Sequence, residues 1–162
     1  MTGQLKGLRN PRLWDYIAVK STDSISRGGW YSSFGGKPFS SEEMEQYVSN
    51  TKDKLVPYLS QEKKALEIGG ASGLTMFEIA PFVKEYIGTD MAKENLRINQ
   101  EYIESNGISN IKLINCSADK LKEAVHQEMD IIIINSVCQY FPSMEYFEDV
   151  IENCISMIGT GV

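Results

Sequence analysis

Residues 65–73 read ALEIGGASG, and after one short amphipathic stretch the chain reaches YIGTD, ending at Asp90. An apolar run breaks at paired glycines, a helical period follows, and a second apolar run closes on an acid. Strand, tight turn, helix and strand in that order form the repeating unit of α/β folds. The pattern predicts a parallel sheet that binds its ligand over the carboxyl ends of its strands.

The rest of the chain repeats the unit. The first strand is expected at Lys64–Gly69. Leu74, Phe77 and Ala80 mark one face of the next helix, which Pro81 closes. Strands follow at Glu85–Asp90, Ile111–Asn115 and Asp130–Asn135, the last so apolar that both its faces should be buried. Between them lie a helix over Ala92–Ser105, stopped by Asn106 and Gly107, and a short helix at Leu121. A last helix starts at Ser143, with Phe147, Val150, Ile151, Cys154, Ile155 and Ile158 on its buried face and Gly159 as its stop. Strand and helix alternate throughout, which gives a doubly wound, Rossmann-like parallel sheet.

Upstream, residues 1–40 form an aromatic-rich leader, and residues 41–162 form the core. Trp14, Tyr16, Trp30, Tyr31, Phe34 and Phe39 are too dense for a disordered tail, so the leader should cap the main domain. A short helix is expected near Trp14–Val19, and GGWYSSFGG should be a loop. Ser40 and Glu43 form a capping box ahead of a helix whose apolar positions are Met44, Tyr47, Val48, Thr51 and Leu55, ended near Val56 by Pro57.

Several classes are disfavoured. The formal net charge is −6, whereas proteins that grip phosphate backbones carry basic surfaces, so no nucleic acid partner is expected. No apolar run approaches the roughly 20 residues of a membrane helix, and the first residues lack the apolar core of a signal peptide. A cytoplasmic protein is expected. Cys116, Cys138 and Cys154 have no CxxC spacing and read as free thiols, two of them buried. With His126 as the one histidine, placed on a solvated helix face, no metal site is expected.

Gly69 and Gly70 allow close backbone approach, and Gly73 opens a helix whose amides suit a carboxylate; glycine also serves simply to turn a strand into a helix. Glu67 is more telling. It interrupts an apolar strand where dinucleotide sites carry an apolar residue or glycine. A carboxylate there suits an ammonium, such as that of the methionine moiety of S-adenosylmethionine, directly, through water or by ordering the turn. The other reading pairs it with a basic neighbour. Asp90 can accept bonds from two ribose hydroxyls, can cap the helix from Ala92, or can do both. Met91 would flank an adenine. Ala118 and Asp119 could read the exocyclic amine of adenine or cap a helix. Asn135, Ser136, Gln139 and Tyr140 follow the fourth strand, at the edge that carries reacting groups in open α/β sheets. Alternatively, Tyr140 and Phe141 pack the last helix.

Three segments carry a resemblance. LEIGGASG is similar to the cofactor loop of class I S-adenosylmethionine-dependent methyltransferases, a loop shared by many families. NSVCQYFPSMEYF resembles the NSVVQYFPS-type stretch of the methyltransferase domains of nonribosomal peptide synthetases, and GGWYSSFGGKPFSSEEM resembles their upstream W-x-SSY-x-G-x-P segment. The last two are far more specific, and the likeness runs from about Trp14 to the end. It implies methylation, with S-adenosyl-L-methionine as cofactor, of the α-amino nitrogen of an aminoacyl thioester held on a peptidyl carrier domain, with an adenylation domain as host, in antibiotic-like peptide synthesis. By resemblance Glu67, Gly69, Ala71, Gly73, Asp90, Ala118, Asp119 and Asn135 form the cofactor site, and Gly70, Met91 and Ser136 are expected to bind the cofactor with them. Gln139 and Tyr140, as orienting catalytic residues, border the acceptor with Tyr31 or Phe34. The family's usual glycine is Ala71 here, which the loop should tolerate beside Gly70.

A complete domain of this kind has further strands. The likeness stops after the fourth strand and its helix, where GTGV resembles a turn toward a fifth. The expectation is a partial domain with weak or absent catalysis, self-associating through an exposed fourth strand. The competing readings are a free-standing small-molecule O- or C-methyltransferase and a non-catalytic cofactor-binding or docking module. A nucleotide-dependent oxidoreductase fits less well, given Glu67 and the lack of GxGxxG. Methylation of DNA bases also fits less well, because NSVC stands where an NPPY-type motif would.

Overall fold

The computed structural model describes residues 10–159. The N-terminal stretch without a signal core and the end of the GTGV turn lie outside the described residues. Two leader helices, α1 (Pro11–Lys20) and α2 (Ser24–Arg27), precede α3 (Ser41–Leu55). The core then runs β1 (Lys64–Ile68), α4 (Leu74–Ile79), β2 (Glu85–Asp90), α5 (Lys93–Ser105), β3 (Ile111–Asn115), α6 (Leu121–Ala124), β4 (Ile131–Ile134) and α7 (Met144–Met157).

The four strands pair in parallel in the order β3-β2-β1-β4. Side chains alternate across a strand, so Leu66 and Ile68 face one layer while Ala65 and Glu67 face the other. Leu66, Ile68 and Ile87 pack with Leu121, Met129, Val150, Cys154 and Met157, beneath α6 and α7. On the opposite face Ala65, Tyr86 and Ile133 pack against Met76, Ile79 and Val83, beneath α4. Glu67 thus points into the α4 layer of an otherwise apolar sheet.

Local signals act as their chemistry requires. Ser40 and Glu43 exchange both bonds of the capping box. Gly107 follows α5 at φ 63°, where a left-handed residue ends a helix. Pro57 and Pro81 sit in single 3-10 turns that close α3 and α4.

Four sequence expectations need correction. In β4 only Ile133 is buried and its three neighbours are half-buried, because β4 is the outermost strand. Ile155 and Ile158 of the last apolar face are exposed, and Met157 is buried in their place: α7 crosses the sheet at a rotation that turns Val150, Cys154 and Met157 inward. Of the cysteines, Cys154 alone is buried; Cys116 is half-buried and Cys138 exposed. His126 is exposed, but in the loop after α6 rather than on a helix.

Beyond α7, Ile158 forms a parallel bridge with Met129. The Met129 N–H donates to Met157 O at 2.9 Å and the Gly159 N–H to Met129 O at 3.0 Å. The backbone therefore turns back along the start of β4.

Candidate functional site

The carboxyl ends of β1, β2, β3 and β4 open into one cavity of about 480 Å³. Its floor is the glycine turn. Gly69 lies at φ 72°, and a Cβ there would stand 2.7 Å from Val137 Cγ2. Gly69 N–H and Gly70 N–H both donate to Thr89 O, at 2.8 and 3.0 Å, which ties the turn across to β2. A Cβ on Gly70 would come within 3.1 Å of Glu67 Oε2. Gly73, at φ 82°, adjoins the cavity without lining it, and a Cβ there would meet Phe77 and Met76.

Glu67 is 4% exposed and lines the cavity. Tyr86 Oη donates to its Oε2 at 3.0 Å, and among the described residues no cation lies within ion-pair distance. Burial, with the Asp90 charge adding to it, pushes its pKa up to about 7 against the opposing hydroxyls of Tyr86 and Thr75. Among the described residues the pairing with a basic neighbour is therefore not found, and the acid faces the cavity.

Asp90 is also buried, at 8% exposure. Its Oδ2 accepts the Ala71 N–H at 2.8 Å and its Oδ1 the Ala92 N–H at 2.7 Å. Burial raises its pKa and these amides oppose the rise. Asp90 thus also holds the amide of Ala92, the residue just ahead of α5, while the Ala92 side chain itself makes no cap. Asp15 of α1 adds a second contact at the same helix start, accepting the Glu94 N–H at 3.0 Å. Each carboxylate oxygen has two acceptor sites, so Asp90 keeps capacity for ligand hydroxyls.

Among the described residues two outside glycine adopt positive φ, and both stand at this site: Ala71 at 41° and Ser136 at 54°. Such backbone costs about 1–3 kcal/mol per residue and persists where surroundings enforce it. Ser136 is held by Tyr47, hydroxyl to hydroxyl at 2.8 Å. Asn135 donates from Nδ2 to Thr51 Oγ1 at 3.2 Å, and Gln139 from Nε2 to Ser136 O at 2.8 Å. Asp119 accepts Tyr146 Oη at 2.9 Å. Met91, Cys116 and Ala118 complete the adjoining wall.

The structure thus brings together Glu67, Gly69, Gly70, Ala71, Asp90, Met91, Ala118, Asp119, Asn135, Ser136, Gln139 and Tyr140. It does not bring Tyr31 or Phe34 to the wall. Tyr31 bridges to Pro38 at the base of a surface loop, and Phe34, at 102% exposure, projects from its tip. The leader's contribution comes from Trp14 and Trp30. The Trp14 ring meets Tyr140 edge-on at 5.1 Å, and the Trp30 ring lies 4.6 Å from Tyr47. The two packing readings for the turn after β4 divide: Phe141 packs against Tyr146 and Phe147 of α7, while Tyr140 faces the leader. Trp14, Trp30 and Tyr47 were not among the expected site residues; the aromatic density of the leader was the signal for the two tryptophans, and Tyr47 read only as an apolar position of α3.

Comparison with known proteins decides the family. Residues 59–159 match the family model described as a methyltransferase domain. The chain belongs to the methyltransferase domain family. It is 33% identical over 143 residues to chondramide synthase of Chondromyces crocatus, covering 85% of this chain and 4% of that protein. It is 28% identical over 154 residues to the nonribosomal peptide synthetase kk1B of Curvularia clavata, covering 89% of this chain and 1% of that one. This methyltransferase domain therefore spans only a few per cent of the length of these relatives. Its fold is that of class I methyltransferases: Haemonchus contortus phosphoethanolamine N-methyltransferase 1, in complex with phosphoethanolamine and S-adenosylhomocysteine, superposes with TM-score 0.71 at 18% identity, over 98% of this chain and 31% of that one.

Proposed function

We propose that the cavity binds S-adenosyl-L-methionine and delivers its methyl to the α-amino nitrogen of an aminoacyl thioester, presented by a peptidyl carrier domain in a nonribosomal peptide synthetase. The observation that carries the cofactor assignment is Glu67. A buried carboxyl with a pKa of about 7 and no cation within ion-pair distance among the described residues is completed by a ligand that brings an ammonium. Asp90 offers acceptors for ribose hydroxyls, and the glycine turn lets Val137 and the Glu67 carboxyl stand where a Cβ would otherwise be. A volume of about 480 Å³ falls within the range of small-molecule sites.

When bound, the cofactor supplies an electrophilic sulfonium methyl. The chain's own residues supply position and electrostatics. Asp90 and the turn hold the ribose end, and Met91, Ala118 and Asp119 bound the adenine end. Trp14, Trp30, Tyr47 and Tyr140 wall the side where an acceptor enters, in place of Tyr31 and Phe34. An amine attacks only when neutral, and an aromatic wall that excludes water disfavours its ammonium. Gln139 and Tyr140 orient the acceptor. The similarity to peptide synthetases supports the carrier-bound substrate and the neighbouring carrier and adenylation domains.

Calorimetric titration with S-adenosylhomocysteine tests the cofactor assignment, with NADH as control. Binding of the first alone, weakened in Asp90→Ala, is expected; binding of NADH in its place would overturn the assignment. Mass increase of an aminoacyl carrier domain by one methyl tests the acceptor. An unmodified carrier alongside a methylated free acid or phenol would refute it.

A further inference from the structure

Arg27, the last residue of α2, leaves the leader and reaches beneath the glycine turn. Its Nη1 donates to Asn99 Oδ1 at 2.9 Å and its Nη2 to Ser72 O at 3.1 Å, with longer contacts from Nη1 to Asn95 O and Oδ1 at 3.4 and 3.5 Å. Among the described residues no carboxylate lies within ion-pair distance of it. A half-buried guanidinium is thus committed to carbonyl and amide oxygens. Burial lowers its pKa, and a guanidinium remains charged under such a shift.

Asn99 is 2% exposed and passes the contact on. While its Oδ1 accepts from Arg27, its Nδ2 donates to Ala71 O at 2.9 Å. The Ala71 N–H donates to Asp90 Oδ2. Both polar groups of the one left-handed alanine in the turn are therefore held, the carbonyl by the leader's relay and the amide by Asp90. Gly28 shows how closely the leader approaches: a Cβ there would stand 2.8 Å from Ser72 Oγ and 2.6 Å from the Trp30 ring.

We infer that Arg27 is a positioning residue for the cofactor site, acting through Asn99 to hold Ala71 left-handed and so to fix Asp90 toward the ligand. The physical need is specific to this chain. At φ 41° glycine would sit without strain, whereas alanine is pulled toward ordinary backbone. The relay offsets that pull, so the leader sets how much of the population is competent to bind. This inference rests on the proposed cofactor but reads out without it as well.

Arg27→Met removes the donors and keeps most of the stem. It should weaken S-adenosylhomocysteine binding about tenfold, the effect of lowering the competent fraction to roughly a tenth. Added Ala71→Gly should restore most of that loss, since glycine needs no tether. Amide hydrogen exchange on the ligand-free chain gives the second measure: protection at Ala71 should fall about tenfold in Arg27→Met and recover in part in the double variant. Unchanged binding and exchange in Arg27→Met would overturn the inference. Weakened binding without rescue by Ala71→Gly would also overturn it, assigning Arg27 to general packing. If the unsubstituted chain binds no S-adenosylhomocysteine, the cofactor proposal fails, and the exchange comparison alone decides the tether.

Discussion

Glu67→Gln should stabilise this protein, and only at neutral and alkaline pH. In the folded chain the carboxyl is buried and its pKa stands at about 7, against an ordinary 4.5. Below 4.5 both folded and unfolded chains hold the proton and the group is neutral in its effect. As pH rises from 4.5 to 7 the unfolded chain releases the proton while the folded chain keeps it, so unfolding becomes progressively easier. Above 7 the penalty is complete. At roughly 1.4 kcal/mol per tenfold in acidity it amounts to about 3 kcal/mol. Glutamine is nearly isosteric, keeps an acceptor for the Tyr86 hydroxyl and carries no charge. With about 2–4 °C per kcal/mol for a domain of this size, the variant should melt some 6–12 °C higher at pH 8 and within a degree or two of the parent at pH 4.5. Differential scanning calorimetry across that range checks it. An equal difference at both pH values, or none at pH 8, would refute the picture of a buried acid lacking a cation. Ligand binding has the opposite sign. An ammonium favours the ionised carboxyl, so affinity for S-adenosylhomocysteine should fall roughly twentyfold from pH 7.5 to 5.5 and be weak and flat with pH in Glu67→Gln.

Gly69→Ala forces a Cβ into φ 72° and against Val137; a loss of about 2–3 kcal/mol is expected in urea denaturation, and a loss under 0.5 kcal/mol would mean the turn can relax. Asp15→Ala removes the contact to the Glu94 amide and should cost about 1 kcal/mol, with faster exchange at Glu94; an unchanged amide would show that α1 does not hold α5. Finally, β4 pairs with β1 on one side, and beyond the Met129–Ile158 bridge its other edge has no partner among the described residues. Such an edge predicts self-association, which light scattering would refute by finding a monodisperse monomer at high concentration.

The strands, the glycine turn and the polar cluster after β4 were legible in the sequence because each is a local pattern. Four isoleucines in a row, glycines between strand and helix, and an acid closing the second strand constrain backbone within a few residues of themselves. The parallel sheet followed from their alternation, and with it the clustering of Glu67, Asp90 and Asn135–Tyr140 at one edge.

Long-range choices were not legible. Both Tyr31 and Trp30 are leader aromatics one residue apart, and only the fold of residues 28–39 sends Trp30 to Tyr47 and Tyr31 to the surface. Asp90 holds the Ala92 amide, but that Asp15, 75 positions earlier, shares the start of α5 by accepting the Glu94 N–H is visible only in the fold. Arg27 is unremarkable beside Gly28 until Asn99 meets it across 72 positions. Pattern along a chain fixes which residues share a face, because strand and helix periods are set by local backbone geometry. Which distant faces meet is decided by packing in three dimensions, and there a single rotation of α7 or one turn of the leader selects among residues that the sequence leaves equivalent.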